Sequence, residues 1–128
     1  MRLLLDTHTF LWWTADDERL SEDAKSAVGS GTNEVFVSAV NGWEIAIKSR
    51  LGKLPLPEAP NLFIARMVQH HAFSVLPIAL THVVQDYHLP AYHSDPFDRL
   101  LIAQAQLEKL TLVTNDALIK KYSVKTLW

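Results

Sequence analysis

The stretch His93-Ser94-Asp95-Pro96-Phe97-Asp98-Arg99-Leu100-Leu101-Ile102-Ala103-Gln104 decides how this chain is read, because it marks both a buried helix and an acid at that helix's mouth. Asp95 can cap the helix, Pro96 fits the first helical position, and Asp98 falls at the third. Leu100, Leu101, Ala103, Ala105 and Leu107 supply a mostly apolar body, after which residues 110–113 read as a strand. The Asp98 carboxylate therefore stands near the positive end of a buried helix, a position that suits an anion or a metal ligand. The same Asp-x-x-Asp spacing is also a plain capping pattern. The chemical reading depends on other acids arriving at the same place.

Outward from this helix, short apolar runs alternate with helical patterns. Arg2-Leu3-Leu4-Leu5 reads as a strand buried on both faces, ending at Asp6, with a helix beginning at Phe10. Ser21 caps a short helix to Val28, which Gly29 and Gly31 stop. Residues 34–37 form a second strand, and Ser38 caps a helix that runs to Leu51 and closes at Gly52. The pattern then predicts a helix over 61–71, a third strand over 73–76 and a short helix over 80–87. Past the opening helix come a strand over 111–113, a short helix capped by Asn115-Asp116 and reaching Tyr122, and a last strand over 124–127. This alternation predicts an α/β fold: one domain over 1–128, with a central, mainly parallel sheet covered on both faces.

Composition narrows the function classes. At 128 residues, 48% hydrophobic and 20% charged, the chain is large enough for a real core and ordinary for a globular domain. It has no Cys, which excludes disulfides and thiolate metal sites and fits a reducing cytosol. No apolar stretch approaches a membrane span, and Asp6 interrupts the first apolar run too early for a signal peptide. A net charge of −2 argues against a broadly basic nucleic-acid binder. Nucleic acid would be held locally, or through metal ions.

The chemistry emerges when the acids are mapped onto strand ends. In an open parallel sheet, ligands bind beyond the carboxyl ends of the strands, where the strand order reverses. Asp6 follows the first strand, Asp116 follows the strand at 111–113, Glu44 lies on the inward side of the helix after the second strand, with Trp43 and Ile47 as neighbours, and Asp98 opens its own helix. If the four meet, their mutual repulsion requires protons or cations. Oxygen-only donors suit Mg²⁺ or Mn²⁺ rather than Zn²⁺. Each acid also has a structural reading: Asp6 and Asp116 as caps, Glu44 as the i,i+4 partner of Lys48 on a solvated face.

Four blocks carry a family resemblance: LLLDTHTFLWW from Leu3, VSAVNGWEIAIKSRLGKL from Val37, HSDPFDRLLIAQA from His93 and LVTNDALIKKY from Leu112. Together they span nearly the whole chain, and it resembles a PIN-domain ribonuclease of the kind that forms the toxin half of VapBC toxin–antitoxin pairs. The resemblance implies a three-layer α/β/α PIN-like domain. It also implies that Asp6, Glu44, Asp98 and Asp116 are the catalytic, metal-binding quartet for Mg²⁺ (or Mn²⁺), with Thr7, Ser38, Thr114 and Asn115 as polar residues near it. Asp95 is an extra acid, either cap or auxiliary ligand, with the cap favoured. Lys48 and Arg99 are candidate phosphate contacts. The implied partners are an RNA substrate, a small antitoxin whose tail covers the cleft, and a second copy in a homodimer, in the cytoplasm and away from membranes. Hydrolysis by a metal-activated water would leave a 5′-phosphate and a 3′-hydroxyl. Many relatives carry a small polar residue before the Trp-Glu pair; here Asn41-Gly42 precedes it, and the glycine weakens the helix by roughly 1 kcal/mol.

The six histidines show no ligand spacing on one helix face. His70, His71 and His82 read as surface or partly buried residues, whereas His8 and His93 lie nearer the acidic edge as substrate contacts. Trp12, Trp13 and Trp43 read as core or interface. Two other classes compete: a noncatalytic PIN-like module binding RNA or protein, and a phosphoacceptor receiver domain. The receiver usually needs paired acids after its first strand, an Asp after its third and a Lys after its fifth, a pattern this chain lacks.

Overall fold

Leu3, Leu4 and Leu5 are all fully buried, as befits a central parallel strand walled in on both sides. In the computed structural model, which describes residues 1–128, this strand β1 (Arg2–Leu5) pairs with β2 (Glu34–Ser38), and β2 pairs with β3 (Ser74–Leu76). On the other side β1 pairs with β4 (Thr111–Val113), and β4 with β5 (Thr126–Leu127). The order is β3-β2-β1-β4-β5 and every pairing is parallel, so the sheet goes beyond mainly parallel. The strand order reverses between β1 and β4, which places the ligand-binding crevice at their carboxyl ends. A receiver domain has the order 2-1-3-4-5; this sheet does not.

Alternation along β1 divides the core. Leu3 and Leu5 point into one layer with Phe10 of α1 (Thr7–Thr14), Ala24 and Val28 of α2 (Glu22–Gly29), Ile45 of α3 (Ala39–Arg50), and Phe63 and Met67 of α4 (Pro60–His70). Leu4 points into the opposite layer with Leu101, Ile102 and Ala105 of α6 (Pro96–Glu108). Between β3 and α6 lie the short α5 (Leu80–Val84) and a 3₁₀ turn (Gln85–His88), where the sequence predicted one helix. No helix is long and apolar enough to cross a membrane.

The remaining departures from the sequence reading have local causes. α1 begins at Thr7 rather than Phe10 because Asp6 caps it, accepting the Thr9 amide at 2.8 Å. The helix expected after Asp116 is only a 3₁₀ turn (Ile119–Lys121), and β5 is shorter than predicted. α6 stops where Lys109 turns left-handed at φ 55° and its amide returns to Ala105 O.

Buried polar bonds lock the carboxyl end of the sheet. Ser38 Oγ accepts the Val40 amide at 2.9 Å, and Asn41 Oδ1 accepts the Ser38 amide at 2.8 Å, which fixes the start of α3. Asn41 Nδ2 donates to Leu5 O at 3.2 Å and Thr7 Oγ1 at 3.1 Å, tying α3 to the end of β1. Ser38 Oγ donates to Gln104 Oε1 at 2.5 Å, and Gln104 Nε2 to Pro77 O at 3.2 Å, tying α3 and the end of β3 to α6. With no solvent to compete, such bonds hold one arrangement of the three elements that carry Asp6, Glu44 and Asp98.

Candidate active site

The carboxylates of Asp6, Glu44 and Asp98 share one field at the end of the sheet, and His93 adds Asp116 to them. Asp6 is buried at the end of β1, and burial pushes its carboxyl up, only partly opposed by the side chains of Thr114 and Thr9 and the Thr9 amide. Thr114 Oγ1 accepts the Asp116 amide at 3.0 Å. One buried hydroxyl thus bridges the segments bearing Asp6 and Asp116.

Glu44 sits one turn inside α3 and is only 4% exposed. The reading of Glu44 on an inward face is correct, but Trp43 and Ile47 are not its inward companions. Those are Val40, Asn41 and Ile45; Trp43 is exposed and edges onto the Phe97 ring with centroids 4.8 Å apart. Glu44 Oε2 pairs with Lys48, so the i,i+4 pair forms, but it brings the lysine to a buried acid rather than lying on a solvated face. Glu44 Oε1 is buried with no hydrogen-bond partner. A charged oxygen left unpaired indoors is costly, and it marks a place where a cation would be favoured.

Asp98 occupies the first turn of α6, beneath the cap that Asp95 forms by accepting the Phe97 amide at 2.8 Å and the Asp98 amide at 3.2 Å. Its carboxyl is pushed up to about 7, first by burial and then by the charge of Asp95, with Glu44 and Asp6 adding to it against the pull of His93. Asp116 goes the other way. Burial raises it, but hydrogen bonds from His93 and the Leu118 amide outweigh that and hold it below the ordinary carboxylate range. Lys48 meets the cluster through Glu44, and that pairing, with the fields of Asp95 and Asp98, raises its pKa.

Of the polar residues expected nearby, Thr7, Ser38 and Thr114 are buried and bonded into this end of the sheet, whereas Asn115 is exposed. Arg99 requires a correction. Its guanidinium donates to Asp86 Oδ1 at 2.7 Å and to the carbonyls of Asp86, Leu89, Pro90 and His93 at 3.0, 3.2, 2.8 and 3.2 Å. It pins the segment before α6 and has no fork left for a phosphate. His82 is buried and bonded to Glu108 at 2.8 Å, a structural histidine.

Two residues matter for reasons the sequence reading did not give: Asn41 was noted there only as preceding Gly42, and His93 as a substrate contact near the acidic edge. Asn41 is fully buried and joins β1 to α3, and its signal was its place three residues after the Ser38 cap. His93, 9% exposed, lies with Nε2 at 3.1 Å from Asp98 and 3.0 Å from Asp116. Its ring nitrogen and those two carboxylate oxygens fall within 4.8 Å of one another. Its signal was its spacing from Asp98 in the quoted stretch.

The donor set fits a hard divalent cation: carboxylate oxygens, one of them without a partner and another pushed toward the neutral range. A parallel three-layer α/β domain with buried acids at its switch point is a class in which fold and site point to the same end of the sheet. This chain belongs to the PIN-domain family, whose model matches residues 3–125. It is similar to Ribonuclease VapC22 of Mycobacterium tuberculosis (strain ATCC 25618 / H37Rv), at 29% identity over 122 residues, 94% of this chain and 91% of that protein. Ribonuclease VapC16 of the same organism is 35% identical over 68 residues, 50% of this chain and 48% of that one. Among solved structures, VapBC2 from Rickettsia felis, bound to a promoter DNA fragment, superposes with a TM-score of 0.72 at 14% identity, covering 99% and 98% of the two chains. FitAcB from Neisseria gonorrhoeae gives 0.66 at 17% identity, with 98% and 96% covered. At such identities the structural matches establish the fold alone.

Proposed function

We propose that this chain is a VapC-type ribonuclease, the toxin half of a toxin–antitoxin pair, dependent on Mg²⁺ or Mn²⁺. The observation that carries this reading is the buried carboxylate cluster at the β1/β4 switch point, where Asp98 is driven toward neutrality and Glu44 keeps an oxygen unpaired. Asp6 and Asp98 would hold the cation directly, and Glu44 and Asp116 would hold it directly or through water. A divalent cation held by these residues would supply Lewis-acid polarisation of the scissile phosphate and a water of lowered pKa. Lys48 sets a positive charge at the rim beside Glu44. Asp95 serves as the helix cap that fixes the height of Asp98. No serine or cysteine nucleophile is required, and addition of water with loss of the 3′ oxygen leaves a 5′-phosphate and a 3′-hydroxyl.

With a slightly acidic chain, RNA is recognised by its shape or by a short exposed segment rather than by tight nonspecific binding. The same reading includes a small antitoxin and a homodimer. Leu80, Val83, Val84 and Tyr87 recur at helical spacing and are all exposed, apolar surface of the kind that partners cover.

The test is to incubate purified protein with RNA, with and without Mn²⁺, and sequence the cut ends. Metal-dependent cuts bearing 5′-phosphates, lost in Asp98→Asn, are expected. Cutting that persists in that variant or in chelator would overturn the reading. RNA binding without cutting would point instead to a binding module.

A further inference from the structure

We infer that His93 is a positioning residue of this site: its Nε2–H draws the Asp98 and Asp116 carboxylates together, and its nitrogens do not ligate the metal. The inference rests on the proposed metal-dependent reading and deepens it.

The position of the ring proton decides the matter. The Asp95 amide donates to His93 Nδ1 at 3.1 Å, so the Nδ1 lone pair is in use as an acceptor. The neutral ring then carries its proton on Nε2. That nitrogen bonds to Asp116 Oδ2 at 3.0 Å and lies 3.1 Å from Asp98 Oδ2, so both carboxylates face the same N–H. A protonated nitrogen offers no lone pair to a metal. The His93, Asp98 and Asp116 triad, whose donor spacing resembles a mixed nitrogen–oxygen site, is therefore two oxygen ligands and the N–H that orients them.

The rest of the environment holds the ring in that pose. The His93 amide donates to Tyr122 Oη at 2.8 Å, and its carbonyl accepts from Arg99 Nη1 at 3.2 Å, so the backbone is fixed from two elements. Asp116 Oδ1 accepts the Leu118 amide at 2.8 Å, which leaves Oδ2 to His93. The two acids come from different segments, α6 and the turn after β4, and His93 is the side chain that lies against both, bonded to Asp116 and within 3.1 Å of Asp98. Keeping nitrogen out of the ligand set favours oxygen-seeking Mg²⁺ or Mn²⁺ over Zn²⁺.

Two measurements on the full chain test this. Long-range ¹H–¹⁵N correlation of the imidazoles, in metal-free protein at a pH where His93 is neutral and assigned by its loss in His93→Gln, should give the Nε2–H pattern. A Nδ1–H pattern would overturn the inference. Calorimetric titration with Mn²⁺ should show affinity falling roughly 10–100-fold in His93→Ala, with most of it restored in His93→Gln, whose amide can still donate. Unchanged affinity in the alanine variant, or a glutamine variant no better than alanine, would sink it. Wild-type protein that binds no Mn²⁺ would instead defeat the metal-dependent reading, while the nitrogen spectrum still decides the tautomer.

Discussion

At Asp98 the fold holds a proton that the unfolded chain would release. With its carboxyl pushed up to about 7 from an ordinary 3.8, folding is favoured below that window, and the advantage is lost as pH rises through the folded value. Asp6, also raised by burial, acts in the same sense. Asp116, held low, contributes stability that fades only below the ordinary carboxylate range, outside this window. The metal-free protein should therefore lose stability between about pH 4 and about pH 7, the window set by the two values, by something on the order of a few kcal/mol. Asp98→Asn should flatten that slope and leave the protein more stable than wild type at the alkaline end. Urea melts of both proteins in chelator, compared across pH, read the difference and subtract the histidines common to the two. Parallel slopes would mean that Asp98 is not the seat of the strain.

At the scale of elements, the opening of α6 does two jobs that substitutions can separate. Asp95→Asn keeps an oxygen for the Phe97 and Asp98 amides, so stability should hold within a few tenths of a kcal/mol. It also removes the charge that, after burial, pushes Asp98 up most, so Asp98 should titrate lower. Asp95→Ala removes cap and charge together and should cost about 1 kcal/mol in urea unfolding from the lost cap. NMR titration of the Asp98 carboxyl, beside the melts, distinguishes the two effects. In α3, Gly42 meets little: an added Cβ would lie 3.9 Å from Ile64 Cδ1, ordinary contact with α4. Gly42→Ala should therefore stabilise the chain by about 0.5–1 kcal/mol, since it removes backbone freedom from a helix interior without a clash. A loss of stability would show that α3 and α4 need the bare glycine to approach each other.

For the molecule as a whole, the parts legible in the sequence were those set by local pattern. The Arg2–Leu5 run could only be an inner strand, and Asp6 and Asp98 announced themselves at a strand end and a helix mouth. What the sequence hid depends on contacts between distant segments. Asn41 bonding back to Leu5, Ser38 reaching Gln104, and Arg99 spent on the carbonyls before α6 leave no periodic trace. His93 read as a substrate contact near the acidic edge, and only the fold set it between two acids. Those same long-range bonds hold the acids rigidly together, so a cation binding there is binding the folded state alone. Ligand present at about a hundred times its dissociation constant adds roughly 2.7 kcal/mol to stability. In a domain of this size that corresponds to a rise on the order of 10 °C in melting temperature. Mg²⁺ or Mn²⁺ should produce such a rise in thermal melts of wild-type protein. Asp98→Asn, already relieved of its like-charge repulsion, should start from a melting point equal to or above that of metal-free wild type and gain almost nothing from the ion. An equal gain in both would mean that the ion binds elsewhere, and no gain in either would mean that protons alone neutralise the cluster.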